Sequence, residues 1–341
     1  MKILALDTSF DDTAAAVLDG PCSVLSSVVS SQHEAHRAFG GVVPEVASRL
    51  HVERILPAID EALARARLTI DAIDAVAVTN RPGLLGSLLV GLDAGKAVAF
   101  ARRIPLVCVH HIEAHLYALF LDRPDLRPPV LCVVASGGHT SLVLLRRHGD
   151  MTVMGRTLDD AAGEAFDKVA RAAGLELPGG PALSALADRG DPAAVAMPVP
   201  EVGELDFSFS GLKTHAARLL GEGAPPADVA AAFQRSVVTV LVRRMIAASR
   251  AAGVTTVGLG GGVAANAAWR SAAGEAARAE GLDLVVPPFA YCTDNAAMVG
   301  CLGHFMLDAG LRDGLDADAV STAEVGAVPF EIRAEIGSHA P

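Results

Sequence analysis

The chain has 341 residues, of which 51% are apolar, with five cysteines and a net charge of -11. This length and apolar content suffice for two packed domains. The cysteines are odd in number and include no C-x-x-C pair, which argues against a disulfide framework and against a cysteine-built zinc site. The acidic balance argues against broad electrostatic binding of polyanions, so any bound RNA must be held by small local patches or with a partner.

The N-terminus, "MKILALDTSF", has only four apolar residues before Asp7, too few for the apolar region of a signal peptide. The long uncharged stretch "PPVLCVVASGGHTSLVLL" is interrupted by Gly137, Gly138 and His139. That interruption favours a pair of buried strands over a membrane helix of about 20 apolar residues. We therefore expect a cytoplasmic protein that has no association with a membrane.

Short apolar runs alternate with helix-period segments along most of the chain. Examples are "ILAL" followed by "VERILPAIDEALARA", and "VAAAFQRSVVTVLVRRMIAASRAAG" followed by "VTTVGLGGG". The pattern predicts an α/β fold in which helices cover the sheets. The segment "GLELPGGPALSALA" is predicted to be a structured loop. The tail after about Leu311 loses its apolar periodicity, and we predict irregular structure there.

Two segments of the chain have the same pattern. An apolar strand, the turn Ser9–Thr13 and the run "AAAVL" are matched 127 residues later by a strand, the turn Ser136–Thr140 and "SLVLL". Both segments predict hairpins with a polar turn. A duplicated α/β domain whose turns face each other across a cleft would explain this internal repeat. Such turns expose backbone N–H groups that can hold phosphate oxygens.

The segment "HHIEAHLYALF" places His111 and His115 four residues apart. On a helix both imidazoles project from one face and can reach one divalent metal, although most histidine pairs at this spacing are structural. A metalloprotease is disfavoured, since Glu113 lies about 200° around the helix from the histidines instead of beside the metal. A third ligand must come from elsewhere, and Asp294 is a candidate that could equally be a helix N-cap.

Three further segments carry polar residues suited to ligands. In "VTTVGLGGGVAANAAWR" a strand enters glycines at 260–262 and then a helix with Asn266, where an anion or a nucleoside could bind. In "DDAAGEAFDKVARAAG" a capped helix with a Glu164–Lys168 ion pair is predicted. Asp167 takes no part in that pair, and it is either without a specific role or a ligand of a ribose diol. "LDFSFSGLKTHAA", with Lys213, is either a simple turn or a contact to phosphate or RNA.

Over nearly its full length the chain resembles the TsaD family of tRNA threonylcarbamoyl transferases. The resemblance rests on "DTSFDDT", "FGGVVPEVASR", "HIEAH", "SGGHT", "DDAAGEAFDK", "PGGP", "FSFSGLKT", "GGVAAN" and "CTDNAAM", in this order. It implies the duplicated actin/sugar-kinase/Hsp70 fold of two lobes. We expect an N-terminal lobe of residues 1–110 and 296–341 and a C-terminal lobe of residues 111–295, with the nucleotide and metal site in the cleft between them.

The resemblance also implies a reaction. Members of the family transfer the threonylcarbamoyl group of threonylcarbamoyl-AMP to the exocyclic amine of the adenosine just 3′ of the anticodon in tRNAs that read A-starting codons, releasing AMP. It implies that His111, His115 and Asp294 hold one divalent metal, Fe2+ or Zn2+. The residues implied to bind the nucleotide are Val134, Ala135, Ser136, Gly137, Gly138, Asp167, Gly180 and Asn266.

An adenine amine is a weak nucleophile, so the donor must arrive activated and aligned with it. Open positions on the metal could polarise the carbamoyl oxygen or neutralise the phosphate. No residue is a compelling general base, and Asp11, Asp12 and His139 are the candidates because of their place in the two hairpin turns. Relative to the family pattern, Asp7 replaces Glu, Phe10 replaces Cys, Asp12 replaces Glu, Ala114 replaces Gly, and Asn80-Arg81 stands where small residues are usual.

The resemblance implies partners as well. Bacterial members work with TsaB, a smaller paralogue, and TsaE, an ATPase, while TsaC supplies the donor. Two alternatives remain open: a small-molecule O-carbamoyltransferase on the same scaffold, and a non-catalytic scaffold that binds a nucleotide. Relatives of the first kind carry an extra domain that makes the adenylate, for which this chain has no room, and intact His111, His115 and Asp294 argue against the second.

Overall fold

The computed structural model describes residues 1–121 and 123–331. Its strands are Lys2–Asp7 (β1), Asp12–Asp19 (β2), Val24–Ser31 (β3), Ala75–Arg81 (β4), Leu106–His110 (β5), Val130–Ala135 (β6), Thr140–Arg147 (β7), Asp150–Arg156 (β8), Thr256–Gly260 (β9) and Asp283–Val285 (β10). Its α-helices are His33–Arg37 (α1), Pro44–Ala66 (α2), Leu85–Arg102 (α3), His111–Tyr117 (α4), Ala162–Ala172 (α5), Gly179–Ala187 (α6), Ser210–Gly221 (α7), Pro226–Ala252 (α8), Ala267–Glu280 (α9) and Ala296–Asp308 (α10).

The strands form two sheets with the same topology. The first has the order β3-β2-β1-β4-β5 and the second has the order β8-β7-β6-β9-β10. In each, the central strand pairs antiparallel with the next strand along the chain and parallel with the fourth strand of its set. The predicted α/β fold is confirmed, and the two segments with the repeated pattern form antiparallel hairpins, β1–β2 and β6–β7.

Alternate residues of each central strand enter different cores, as expected of a pleated sheet that helices cover on both faces. In β1, Leu4 and Leu6 pack with α2 and α3, whereas Ile3 and Ala5 face α10. In the second sheet, one face packs against α5 to α9, and the other joins the same core as α4 and α10. Helices α4 and α10 therefore lie where the two sheets meet.

The segment from 311 to 331 contains no helix and only an isolated bridge, Leu106–Asp313, so irregular structure is confirmed for this described part of the tail. It lies against the first sheet, where the Val320 N–H donates to the carbonyl of Asn80. The rest of the predicted tail, 332–341, lies outside the described residues.

One predicted loop is wrong. The second half of "GLELPGGPALSALA" forms α6, which begins at Gly179 and extends to Ala187. Within 1–121 and 123–331, no helix combines the length and apolar character that crossing a membrane requires.

Candidate metal and nucleotide site

Helix α4 begins directly after β5 and carries the histidine pair. His110 is its N-cap, and the Nδ1 of His110 accepts hydrogen bonds from the backbone N–H groups of Ile112 and Glu113. His111 and His115 follow on one face of the helix, with ring centroids 4.7 Å apart. Ile112, Leu116 and the residues after them are buried, so the helix is anchored as its apolar stripe predicts.

Asp294 reaches the same point from the segment that precedes α10. Its Oδ1 lies 3.4 Å from the Nε2 of His111 and 3.2 Å from the Nε2 of His115. The alternative that Asp294 is the N-cap of this helix is wrong, because the side chain of Asn295 fills that position and accepts from the N–H of Met298. Asp294 is thus free to face the histidines.

These three side chains fit a divalent metal. One ligand atom from each lies within 4.8 Å of the others. Ligands at about 2.1 Å from a tetrahedral ion are separated by roughly 3.4 Å, which is close to both measured distances to Asp294. Apart from the contact with Asp294, neither ring nitrogen of His115 has a hydrogen-bond partner within the described residues, although the ring is fully buried. A buried imidazole nitrogen that accepts from no protein donor keeps its lone pair available to a metal.

Two residues of the β1 end orient His111. The Nδ1 of His111 lies 3.1 Å from the Oδ2 of Asp7 and 3.1 Å from the Oγ of Ser9. Burial lowers the pKa of His111, but the carboxylates of Asp294 and Asp7 outweigh it and raise this pKa well above its ordinary value. Burial raises the pKa of Asp294, and the two histidines reverse the effect and hold this pKa well below its usual range. The site therefore favours a positive charge at its centre.

The β1–β2 turn places Asp11 and Asp12 near this centre. Asp12 has a buried Oδ1 without a hydrogen-bond partner among the described residues. Burial, followed by the charges of Asp294 and Asp11, raises the pKa of Asp12 to about 6. The Oδ2 of Asp11 lies 3.3 Å from the Nδ1 of His33, and this contact is the largest cause of the raised pKa of His33. Asp11 is therefore paired, whereas Asp12 keeps a free oxygen.

The matching β6–β7 turn carries His139. A backbone hydrogen bond closes this turn: the N–H of Ser136 donates to the carbonyl of His139 at 2.8 Å. Desolvation is the largest cause that lowers the pKa of His139, followed by the charges of His111 and His115. Gly137 and Gly138 are exposed, and a Cβ at either would meet open space. Val134 and Ala135, at the end of the strand before them, are fully buried in this structure.

Asp167 binds the start of α6. Its Oδ1 accepts from the N–H of Gly179 at 2.7 Å, and it also accepts from the N–H of Gly180. Burial raises the pKa of Asp167 in spite of these bonds. A Cβ at Gly179 would crowd this carboxylate, whereas a Cβ at Gly180 would meet nothing. Asp167 and Gly180 are therefore adjacent, as the resemblance implies.

The glycine turn after β9 brings Asn266 to the start of α9. Gly261 has a φ of +81°, and a Cβ there would clash with the carbonyl oxygen of Ala135, so only glycine allows this turn to lie beside the β6 strand end. The Oδ1 of Asn266 accepts from the N–H of Trp269, and its Nδ2 donates to the Oε1 of Gln234. Asn266 is thus chiefly a helix cap, and only its second amide hydrogen is left for a nucleotide.

The family-specific model for TsaD, tRNA N6-adenosine threonylcarbamoyltransferase, matches residues 23–301 of this chain. A protein of that name from Symbiobacterium thermophilum is 51% identical over 330 residues, covering 95% of this chain and 97% of the relative. Another from Bacillus licheniformis is 49% identical over 328 residues, covering 93% and 95%. The chain belongs to the TsaD family.

Solved structures show the fold of this TsaD chain. HypF from T. kodakarensis superimposes with a TM-score of 0.64 at 17% identity, covering 90% of this chain and 48% of that protein. Component A of (R)-2-hydroxyglutaryl-CoA dehydratase from Acidaminococcus fermentans gives 0.54 at 15% identity, covering 89% and 96%. The fold is that of the actin-like ATPases, in agreement with the duplicated sheets.

Two other motifs of the TsaD chain prove structural. Lys213 pairs with Asp160, which also accepts from Lys168, so its ammonium has a carboxylate partner within the chain. The predicted Glu164–Lys168 pair is present. Helix α5 follows Ala161, which has no capping side chain, so a local cap is wrong; the N–H of Ala162 donates instead to the hydroxyl of Thr140.

Glu113 lies away from the metal ligands, as its helical position predicts. It is buried, and its Oε1 accepts from the N–H of Gly326 in the tail. Burial raises the pKa of Glu113 to about 7. This carboxyl is therefore part of the anchor between α4 and the tail, and it is out of place for the base of a metalloprotease.

The amino-acid sequence alone does not reveal the residues that position the predicted metal ligands and the acidic turn beside them. It identifies Asp7 only as a shortened substitute, and it gives no role to Ser9, His33 and His110. A signal does exist for Asp7, since a carboxylate that ends a fully apolar strand needs a polar partner. Nothing in the sequence says that this partner is His111, 104 residues away.

Proposed function

We propose that this chain transfers the threonylcarbamoyl group of threonylcarbamoyl-AMP to the N6 amine of the adenosine 3′ of the anticodon in tRNAs that read A-starting codons. The observation that carries the proposal is the convergence of His111, His115 and Asp294 beside the two hairpin turns of a TsaD-family chain. In the reaction a C–N bond forms between the adenine amine and the carbamoyl carbon. The bond from that carbon to the phosphate oxygen breaks, AMP leaves, and the amine gives up a proton.

His111, His115 and Asp294 would hold one Fe2+ or Zn2+ ion, which would supply positive charge for the carbamoyl oxygen or the departing phosphate. Asp7 and Ser9 hold the ring of His111 so that its Nε2 faces Asp294. The chain's own contribution is thus a fixed set of donors, two buried imidazoles and a partly exposed carboxylate, that needs no rearrangement when substrate arrives.

The nucleotide of the donor would lie across Val134–Gly138, with Asp167 at the ribose, Gly180 beside it and Asn266 at the glycine turn. The open space at Gly137 and Gly138 supports a phosphate close to their backbone N–H groups. The unused oxygen positions of Asp167 can accept from a diol while its Oδ1 stays bonded to Gly179.

Among Asp11, Asp12 and His139, we assign the proton-accepting role to Asp12. Its Oδ1 is buried and unpartnered in the described part of the chain, and its pKa is raised to about 6, which suits a base near neutral pH. Asp11 is engaged with His33 instead.

The proposed lobes are residues 1–110 with 296–341, and residues 111–295. The two sheets support this division, because β1–β5 end at His110 and α10 packs against the first sheet. We propose that the reaction takes place in the cytoplasm, where a tRNA substrate and a TsaC-type donor enzyme would be present.

Partners of the TsaB and TsaE type would assist tRNA binding, given the net charge of -11. Exposed apolar side chains at helical spacing support a docking protein: Val52 and Leu56 on α2, and Leu85 and Leu89 on α3. Filter binding should show weak retention of tRNA by the lone chain and strong retention with the partners. Tight binding by the lone chain contradicts this part of the proposal.

The deciding test is transfer of labelled threonine from threonylcarbamoyl-AMP to purified tRNA, with the partner proteins present. Wild type should label the tRNA, Asp294→Ala should not, and Asp283→Ala, an exposed aspartate on β10, should behave as wild type. Transfer to a small-molecule hydroxyl in place of tRNA would favour the O-carbamoyltransferase alternative. Nucleotide binding without any transfer would favour the scaffold.

A further inference from the structure

The exposed phenylalanines of the chain are few and unevenly placed. Aromatic residues make up only 4% of the sequence. Among the described residues, the phenylalanines with large exposure are Phe10 at 45%, Phe39 at 61%, Phe100 at 71% and Phe289 at 60%. Single exposed apolar side chains are ordinary, so their position is what matters. Phe10 follows Ser9, which contacts the ring of His111, and Phe289 precedes Asp294 by five residues.

Phe10 lies in the β1–β2 turn, directly after Ser9, whose Oγ is 3.1 Å from the Nδ1 of His111. The backbone of Phe10 is held, because its carbonyl lies 3.0 Å from the Nε2 of His51, a buried ring whose Nδ1 lies 2.8 Å from the hydroxyl of Thr13. The ring of Phe10 is therefore presented to solvent from a fixed turn beside the site.

Phe289 lies five residues before Asp294, in the single 3-10 turn that leads to it. The guanidinium of Arg270 covers one face of the ring, 4.0 Å from its centroid. Arg270 is itself held by the carbonyls of Ala264 and Pro287 and by the Sγ of Cys292. Since Phe289 remains 60% exposed, its other face is open to a ligand. Phe289 thus presents a fixed aromatic ring with one face against Arg270 and the other face open to solvent.

Both rings belong to segments that carry groups of the metal site, the turn with Ser9 and the segment with Asp294. Ser9 approaches His111 at Nδ1, and Asp294 approaches the same ring at Nε2. Phe10 is the neighbour of Ser9, and five residues of chain keep Phe289 within about 18 Å of Asp294. A nucleic-acid loop that delivers one base to the metal centre would come near both of these segments.

We propose that Phe10 and Phe289 stack against unpaired bases of the tRNA anticodon loop that flank the target adenosine. This inference rests on the proposed function, which requires a loop base to leave its stack. Unstacked RNA bases are commonly held on aromatic side chains, and such stacking needs no positive charge on the protein. Binding by stacking suits a chain with a net charge of -11, because such a chain attracts phosphates only weakly.

The test measures both binding and turnover in the complex with its partner proteins. An anticodon stem-loop RNA with 2-aminopurine next to the target adenosine reports stacking by its fluorescence, and full tRNA gives the KM and kcat. Phe10→Ala and Phe289→Ala should each weaken loop binding and raise the KM for tRNA about fivefold to a hundredfold. The KM for threonylcarbamoyl-AMP should stay near that of wild type.

Further variants separate stacking from general apolar contact. Phe→Leu at either position should be nearly as weak as Phe→Ala, whereas Phe→Tyr should restore binding because it keeps the ring. Phe100→Ala, which removes an even more exposed ring on α3, should leave binding and turnover unchanged. Circular dichroism should show every variant folded, since the exposed rings support no core.

The inference is overturned if the leucine variants bind the loop as well as wild type, or if both alanine variants match Phe100→Ala. A wild-type complex that shows ring-dependent loop binding but transfers no threonylcarbamoyl group would refute the proposed function and uphold the stacking role. A complex that transfers the threonylcarbamoyl group with the same KM for tRNA in all variants would uphold the proposed function and refute the stacking role.

Discussion

The Oδ2 of Asp7 lies 3.1 Å from the Nδ1 of His111, although the two residues are 104 positions apart in the chain. The contact joins the end of the first strand to the start of α4. A carboxylate on one imidazole nitrogen fixes the tautomer, so that the other nitrogen carries the lone pair that a metal needs. The shortened Asp7 thus still reaches the site, although one carbon is missing relative to the family's usual glutamate.

Asp7→Asn should weaken metal binding about tenfold to a hundredfold, because an amide no longer fixes the tautomer of His111. The measurement is metal content after dialysis against graded chelator, with unfolding followed in parallel. Asp19→Asn, which changes an exposed aspartate at the far end of β2, is the matched control. Equal metal retention by the two variants would show that Asp7 has no orienting role.

Asp12→Asn should remove transfer activity and yet stabilise the fold. The pKa of Asp12 is raised from 3.8 to about 6, so ionisation of this carboxyl costs the folded state free energy. That cost grows as the pH rises from 3.8 to about 6 and is complete above it, where the variant should unfold at a higher temperature than wild type. The gain should vanish toward pH 3.8, and thermal unfolding across this range measures it.

If Asp12 accepts the proton, kcat/KM of the wild type should decline as the pH falls below about 6. Asp11→Asn serves as the comparison, because Asp11 is paired with His33. An Asp12→Asn protein that keeps most of its activity, with the same acid limb, would exclude Asp12 as the base.

Two glycines should respond oppositely to alanine. Gly261→Ala should destabilise the protein by at least about 1–2 kcal/mol, because φ is +81° and the new Cβ would meet the Ala135 carbonyl. Gly137→Ala has open space and should leave stability unchanged, but should raise the KM for threonylcarbamoyl-AMP if that turn holds the phosphate. Chemical denaturation and donor titration test the pair. Equal stability of the two variants would contradict the close approach at Gly261.

Glu113→Gln should retain transfer activity. The amide oxygen can still accept from the N–H of Gly326, and the variant lacks a buried charge above about pH 7, to which burial raises the pKa of Glu113. Initial rates of threonine transfer and any proteolysis of casein should be followed together. Proteolysis by wild type that is lost in this variant would revive the protease hypothesis.

Much of the fold is predictable from the amino-acid sequence, because its strands are short apolar runs between helix-period segments. The two S-x-x-x-T turns alone indicate the duplication, since each half has to build the same hairpin. Helix α6 escapes prediction because glycine and proline count against helices. Here Pro181 lies in the first turn, where it is tolerated, and Gly179 allows the close approach of Asp167.

The site is predictable only in part. The four-residue spacing brings His111 and His115 together on a helix face, and this is a local property of the chain. The choice between Asp294 and Asn295 as helix cap is not local, because both side chains cap helices well and only the packed position of α10 separates them. The long-range partners of His111 depend on how two strands and a helix meet, which no spacing encodes.

His111, His115 and Asp294 are proposed to share one metal ion. Anomalous diffraction at the iron and zinc edges, on crystals of active metal-loaded protein, tests it most directly. We expect one strong peak about 2.0–2.3 Å from the Nε2 atoms of both histidines and from the Oδ1 of Asp294. A fully active protein whose only anomalous peak lies elsewhere, or that shows none, would contradict it.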